Sequence, residues 1–236
     1  MIDITVVIPA KDEEARLPSF LQSLIAYCRQ SSRRYEIIVV DDGSTDQTAQ
    51  KVLELKKSFT GLTLLSLGTN HGKGYAVKEG FLSAHGDIVL FMDADGSTGP
   101  DEIEKNLKFF SDGYDIVIGS RVLQSPDAKV EALPHRKSLG SVFNFLVSTL
   151  LIKGIRDTQC GFKMFRGPIV RPLWQKIQIQ RFGFDLEVLF LAQKMNYRVK
   201  EVPVNWKHMG ESKVHLIKDS WAMLLNIFEI RNRYRS

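Results

Sequence analysis

Short runs of consecutive apolar residues, each followed by a stretch with helical spacing, fill the first half of the chain. Residues 4–8 form a buried-strand run, and Leu17, Phe20, Leu21, Leu24 and Cys28 then mark one face of a helix. A second run at 36–40 is followed by Ser44-Thr-Asp-Gln47, which reads as a capping-box start to the next helix. A third run covers 62–67, with a helix over 73–84. A fourth covers 88–92, with a helix over 101–110, and 116–118 is a short fifth. Continuous apolar strands alternating with helices predict an α/β fold, a mostly parallel sheet covered on both faces. The second half is less regular. It reads as a polar loop at 125–136, an apolar helix at 138–152 and an unassigned stretch at 154–165. A helix at 185–194, a strand at 199–204 and an amphipathic helix at 216–234 complete it.

In parallel sheets ligands sit beyond the carboxyl ends of the strands, so the polar residues there are where chemistry is expected. The fourth strand runs into Asp93-Ala-Asp95-Gly96. Two acids separated by one residue can face a single Mg²⁺ or Mn²⁺, a hard cation that offsets the charge of a diphosphate. The small Ala94 and Gly96 let phosphates approach the backbone. The alternative is that Asp93 caps a turn and Asp95 caps the next helix. The second strand ends in Asp41-Asp42-Gly-Ser44, where Asp42 can accept from a nucleobase or ribose, or the acids serve as caps. Lys73, between Gly72 and Gly74, either reaches a phosphate or is a solvated lysine at a helix start. No glycine-rich dinucleotide loop follows the first strand, and Gly72-Lys73-Gly74 lacks the Walker spacing, so neither common nucleotide motif is present.

With those residues in place, the sequence resembles glycosyltransferase family 2, which has the GT-A fold, and within it the polyprenyl-phosphate and dolichyl-phosphate glycosyltransferases. The resemblance rests on Val-Val-Ile-Pro9-Ala10 with Glu13, Val-Val-Asp41-Asp42-Gly-Ser and Asn70-His-Gly-Lys73-Gly. It continues through Asp93-Ala-Asp95-Gly, Gly119-Ser-Arg121, the string Lys153-Gly-Ile-Arg-Asp-Thr-Gln-Cys-Gly-Phe-Lys163, Phe184-Asp-Leu-Glu187 and Val202-Pro-Val-Asn-Trp206. It implies one GT-A domain over 1–236, with a nucleotide-sugar half at 1–120 and an acceptor half at 121–236. Pro9, Ala10, Glu13 and Asp42 would line the nucleotide pocket with Lys73 near it, Asp93 and Asp95 would hold the metal and diphosphate, and Arg121 and Arg136 would hold the acceptor phosphate. The implied donor is UDP-glucose, with GDP-mannose as the alternative, and the implied chemistry is inverting. A lipid phosphate is already anionic near pH 7, its second pKa being about 6, so it needs no base. A sugar-hydroxyl acceptor, as in polysaccharide or glycolipid synthesis, would need one. Asp185 is the better candidate for that base, and otherwise a helix cap or a structural contact. Lys213 either closes over the diphosphate or is solvated.

Composition changes this picture little. The 236 residues are 44% hydrophobic and 25% charged, values of a chain with a normal core. The net charge of +5 suits anionic partners, although no nucleic-acid module is visible. Cys28 and Cys160 form no zinc or disulfide pattern. A strand-like run begins at once, so neither a signal peptide nor an N-terminal anchor is expected, and the location expected is cytoplasmic. A polyprenyl acceptor requires contact with a membrane. The candidate surfaces are the helix at 138–152, with Leu139, Val142, Phe143, Leu146, Leu150 and Leu151, and the C-terminal helix. The latter sets Trp221, Leu224, Leu225 and Phe228 beside Arg231, Arg233 and Arg235. A core helix or a dimer face is the alternative. Oligomeric state is not legible.

Overall fold

The computed structural model describes residues 1–126, 128–131, 151–209 and 216–235, with side chains in the last stretch described from 225. The elements follow the chain as β1 (Ile4–Ala10), α1 (Leu17–Gln30), β2 (Tyr35–Asp41), α2 (Thr48–Lys56), β3 (Leu62–Ser66) and α3 (Lys73–Leu82). Then come β4 (Ile88–Met92), α4 (Asp101–Ser111), β5 (Ile116–Ser120), β6 (Val130–Glu131), β7 (Phe162–Arg166) and α5 (Gly167–Trp174). The last are α6 (Phe184–Lys194), β8 (Val199–Pro203), β9 (Trp206–Lys207) and α7 (Leu216–Arg233).

Seven strands form one sheet in the order β3-β2-β1-β4-β7-β5-β8. All the pairings are parallel except those of β7, which runs antiparallel to both β4 and β5. The chain winds outward from β1 to β3, then returns to place β4 on the other side of β1. A crevice opens where such a reversal occurs, at the carboxyl ends of β1 and β4. Because β7 runs the other way, Met92 at the end of β4 pairs with Phe162 at the start of β7. The loop before β7 is thereby delivered to the same crevice.

Alternate side chains of the strands enter two cores. Val7, Val40, Val89, Phe91, Ile118 and Phe165 belong to one, which also takes residues of α3, α5, α6 and α7. Val6, Val39, Leu90 and Met92 belong to the other, with residues of α1 and α4, including Cys28. Phe81 stacks on Trp174 with ring centroids 4.1 Å apart, fixing α3 against α5.

The structure corrects two details of the sequence reading. Ser44 to Gln47 do not form a capping box. The helix begins at Thr48, whose amide donates to Asp46 Oδ1 at 2.9 Å, while Ser44 Oγ accepts from Asp12 N and Asp46 Oδ2 from Glu14 N. Ser44 and Asp46 thereby also tie the β1–α1 loop down. The segment at 154–165 ends in β7, and α5 follows it. Pro168 and Pro172 within eight residues obscure this helix in the sequence, although Pro168 sits in its first turn, where no amide donor is needed. The helix read at 138–152 lies outside the described residues up to 150, and Leu151 and Ile152 are buried in a turn.

Candidate active site

The turns after β1 and β2 are locked to each other and to the loop before α3. Asp42 N donates to Ala10 O, continuing the strand pairing past its end. Both oxygens of Asp42 accept backbone amides, from His71 at 2.7 Å and Gly72 at 2.9 Å. Each oxygen retains a second lone pair, so the carboxylate can still face a ligand. Gly43 is in the left-handed region, at φ 68°, and a Cβ there would meet the Thr69 backbone at 2.6 Å. The glycine is therefore what allows these two loops to cross. Pro9 and Ala10 are buried, and Glu13, 8% exposed, is gripped by Arg16 through two hydrogen bonds of 2.6 and 2.8 Å.

Asp93 and Asp95 stand at the end of β4. Asp93 Oδ1 accepts from Lys73 Nζ at 2.6 Å, and Asp95 Oδ1 accepts from the Ser97 amide at 2.9 Å. Asp95 does not cap a helix, since α4 begins only at Asp101. Burial would raise the Asp93 carboxyl, but Lys73, with the Lys163 and Arg121 charges, holds the group below its ordinary value. Asp95 has no such partner: burial and then the Asp93 charge push it up. Lys73 would lose its proton to burial, yet Asp93 and Asp185 keep it cationic. Two carboxylates whose mutual repulsion is not fully relieved suit a hard divalent cation. Among the described residues no group of three or more His, Cys, Asp or Glu gathers at one point, so such an ion would draw further ligands from substrate or water.

The glycines around this point serve packing more than ligand approach. A Cβ on Gly74 would meet Ile179 O at 2.5 Å, and one on Gly72 would meet Gln180 O at 2.6 Å. Both therefore admit the 179–181 segment and not a phosphate. Gly96, at φ 69°, admits the Phe20 ring, and the Ala94 side chain lies in the core, leaving a ligand only its backbone.

On the far side, β5 ends at Ser120 and Arg121 follows. Its Nε and Nη2 each bond an oxygen of Asp157 at 2.8 Å, and its amide adds a bond of 2.9 Å. Asp157 is fully buried, and Arg121 is about a third exposed. Burial would raise the Asp157 carboxyl, and Arg121 more than reverses it. Arg136 and Lys213 lie outside the described residues.

Asp185, in the first turn of α6, caps nothing; the residue at the cap is Gly183. Its Oδ1 lies 2.6 Å from Nζ of Lys163, a buried lysine of β7 that also donates to Cys160 O. Burial pushes the Asp185 carboxyl up despite Lys163 and Lys73. Both lysine ammonium groups lie over the Phe91 ring, at 5.2 and 5.7 Å from its centroid. Glu187 is fully buried and accepts from the amides of Gln178 and Ile179, from Arg233 and from Tyr234 Oη, which makes it a structural hub.

Sequence reasoning missed three of these residues. Lys163 and Asp157 sit inside a string carried only by resemblance, and nothing in spacing says that they pair with Asp185 and Arg121. Arg16 gives no sequence signal, yet the Asp95 and Asp93 charges act on it after Glu13.

The model of glycosyl transferase family 2 matches residues 5–174. A dolichyl-phosphate β-glucosyltransferase of Dictyostelium discoideum is 39% identical over 245 residues, 99% of this chain and 75% of that protein. The human dolichyl-phosphate β-glucosyltransferase is 34% identical, covering 98% of this chain and 75% of its own. Among solved structures, glucosyl-3-phosphoglycerate synthase from Mycobacterium tuberculosis, in complex with Mn²⁺, UDP-glucose and phosphoglyceric acid, aligns with a TM-score of 0.75 at 18% identity. It covers 98% of this chain and 80% of that one. That alignment gives the fold, a GT-A sheet; the sequence matches give the family. The chain belongs to glycosyl transferase family 2.

Proposed function

We propose that this chain transfers glucose, with inversion, from UDP-glucose to dolichyl or another polyprenyl phosphate, with a divalent cation held by Asp93 and Asp95. The donor and acceptor follow the relatives' names and the nucleotide-sugar complex of the structural neighbour. One observation carries the acceptor class. Asp185, the carboxylate put forward as a base, is closed into a pair with Lys163 and is 4% exposed. A base must reach the proton that it removes. A phosphate dianion needs none, and what it does need is a cation to bring it near a diphosphate. Arg121 supplies that charge. Asp157 orients its guanidinium and leaves Nη1 for a further partner.

When bound, the cation would neutralise the departing diphosphate. Mg²⁺ and Mn²⁺ both suit the oxygen donors, and the neighbour's Mn²⁺ favours the latter. Lys73, kept protonated beside Asp93, adds a second positive charge to the leaving group. Pro9, Ala10, Glu13 and Asp42 hold the nucleoside at the ends of β1 and β2. The rigid pairing of these two turns means that donor binding orders little and loses little entropy.

The acceptor places the work at a membrane surface, which we assign to the cytoplasmic face. Leu225 and Phe228 of α7 are 56% and 61% exposed, beside the exposed Arg231 and Arg235. No helix among the described residues is long and apolar enough to cross a membrane. An apolar and basic helix face of this kind suits an interface with anionic lipid. Leu225→Glu with Phe228→Glu should abolish sedimentation with anionic vesicles and leave the fold intact; unchanged sedimentation would remove α7 from the membrane.

The assay of the reaction itself uses purified chain with labelled UDP-glucose, a short polyprenyl phosphate and Mn²⁺. Labelled lipid should form, disappear with EDTA and form more slowly from GDP-mannose. Transfer to a sugar hydroxyl alone would refute the proposed acceptor.

A further inference from the structure

The loop at 157–161, between Arg121 and Asp93, is tied to both of them and to β7. Asp157 holds Arg121 and accepts from the Gln159 amide, and its own amide donates to Glu201. Cys160 O accepts from Lys163 Nζ, and Gly161 O accepts from the Asp93 amide. Gly161 packs so closely on the Asp93 carboxylate that a Cβ there would lie 1.8 Å from Oδ2. Two groups stand out against this. Thr158 Oγ1 and Gln159 Nε2 are buried and have no hydrogen-bond partner among the described residues. Thr158 is 1% exposed, and Gln159 is partly covered.

Leaving a buried polar atom unpaired is costly, and most such atoms in folded proteins are paired. Two in succession, on a loop tied to both Arg121 and Asp93, call for a partner from outside the chain. Their position says which. On the reading proposed above, the leaving diphosphate lies at Asp93 and the acceptor phosphate at Arg121. In-line displacement requires the transferred sugar to lie between them, and the loop spans that interval. We infer that Thr158 and Gln159 bind hydroxyl groups of the donor's glucosyl ring and set which hexose is transferred. A hydroxyl and a carboxamide suit this task, since each can donate and accept, as a sugar hydroxyl does. A site with polar groups built for a given hydroxyl penalises a donor that lacks it, because those groups are then left unpaired.

The test uses the full chain carrying Gln159→Leu or Thr158→Val, the latter keeping the side-chain shape. Catalytic efficiency is measured on UDP-glucose and on UDP-glucose analogues lacking one hydroxyl at C2, C3, C4 or C6, with the Kd for UDP alone in Mn²⁺. Wild type should disfavour at least one deoxy donor by about tenfold or more. The variant should lose a similar factor on UDP-glucose, lose little more on that same deoxy donor, and bind UDP as before, so that the two changes are not additive. The inference is overturned if both variants match wild type on every donor, if they lose the same factor on all donors, or if UDP binding falls in step. It would equally fall if thermal stability rose while discrimination stayed the same, as a purely structural orphan would give. Rates are read as donor consumption, to lipid phosphate or to water. Failure of wild type to use lipid phosphate therefore sinks the proposed acceptor, while the donor comparison still decides the role of this loop.

Discussion

The two banks of the crevice are built from different interactions. On the donor bank, several carboxylates are held by main-chain amides: Asp42 by His71 and Gly72, Asp95 by Ser97, Asp41 by Ser44 and Asp12 by Thr45, while Asp93 pairs with Lys73 and Glu13 with Arg16. On the acceptor bank, charged side chains hold one another: Arg121 with Asp157, Lys163 with Asp185, and Arg233 with Glu187. Amide-held carboxylates take their geometry from turns that the strand ends impose, without a buried counter-ion. Buried ion pairs must first offset the desolvation of both members, and each fails badly when one member is removed. The donor bank should therefore lose chemistry when it is mutated, and the acceptor bank should lose chemistry and stability together.

That contrast can be broken at several points. The largest effect is expected from Asp93→Ala with Asp95→Ala, which should cut transfer on the order of a thousandfold by removing the charge that balances the leaving group. The melting temperature should change little, as read by calorimetry. Parallel loss of fold and activity would instead make these carboxylates structural. Next is Lys163→Met, which strands Asp185 in the core and should cost about 3–5 kcal/mol in urea unfolding. Adding Asp185→Leu should recover most of it, and no recovery would mean that the pair is not what holds this region. The smallest effect is a dependence on pH. Arg121 holds the Asp157 carboxyl below its ordinary value even against burial. The depressed folded pKa contributes stability above the unfolded pKa of about 3.9, and that contribution is lost as pH falls through the folded value. Asp157→Asn should thus be less stable than wild type at pH 7, and the gap should close below about pH 4. A gap that is constant with pH would show that the Asp157 charge does not act.

The same contrast explains what the sequence revealed. The runs that became β1, β2 and β4 are continuous and end in the polar residues that form the donor bank, so strand ends and candidate chemistry could be read together. Local turn chemistry was less legible. Ser44-Thr-Asp-Gln47 reads as a capping box, but Ser44 bonds across to the β1–α1 loop and Asp46 divides its two oxygens between that loop and the first amide of α2. The acceptor bank was visible only as a resemblance. Its pairs join residues far apart in sequence, such as Arg121 and Asp157, or Glu187 and Arg233, and no periodicity encodes them. Lys163 lies on an antiparallel strand of mostly apolar residues, where a buried ammonium cannot be foreseen without its partner on α6. Gly96 was read as space for a phosphate, whereas it is space for the Phe20 ring. A glycine signals close approach and does not name what approaches.

The most direct measurement compares initial rates of glucosyl transfer to polyprenyl phosphate by Arg121→Ala and by Asp185→Asn paired with Lys163→Met, each corrected for folded fraction. If a cation and no base serves the acceptor, Arg121→Ala loses about a hundredfold with the KM for UDP-glucose unchanged, and the neutralised pair stays within about tenfold of wild type. The opposite ranking, with turnover abolished at the neutralised pair and spared in Arg121→Ala, would contradict the account.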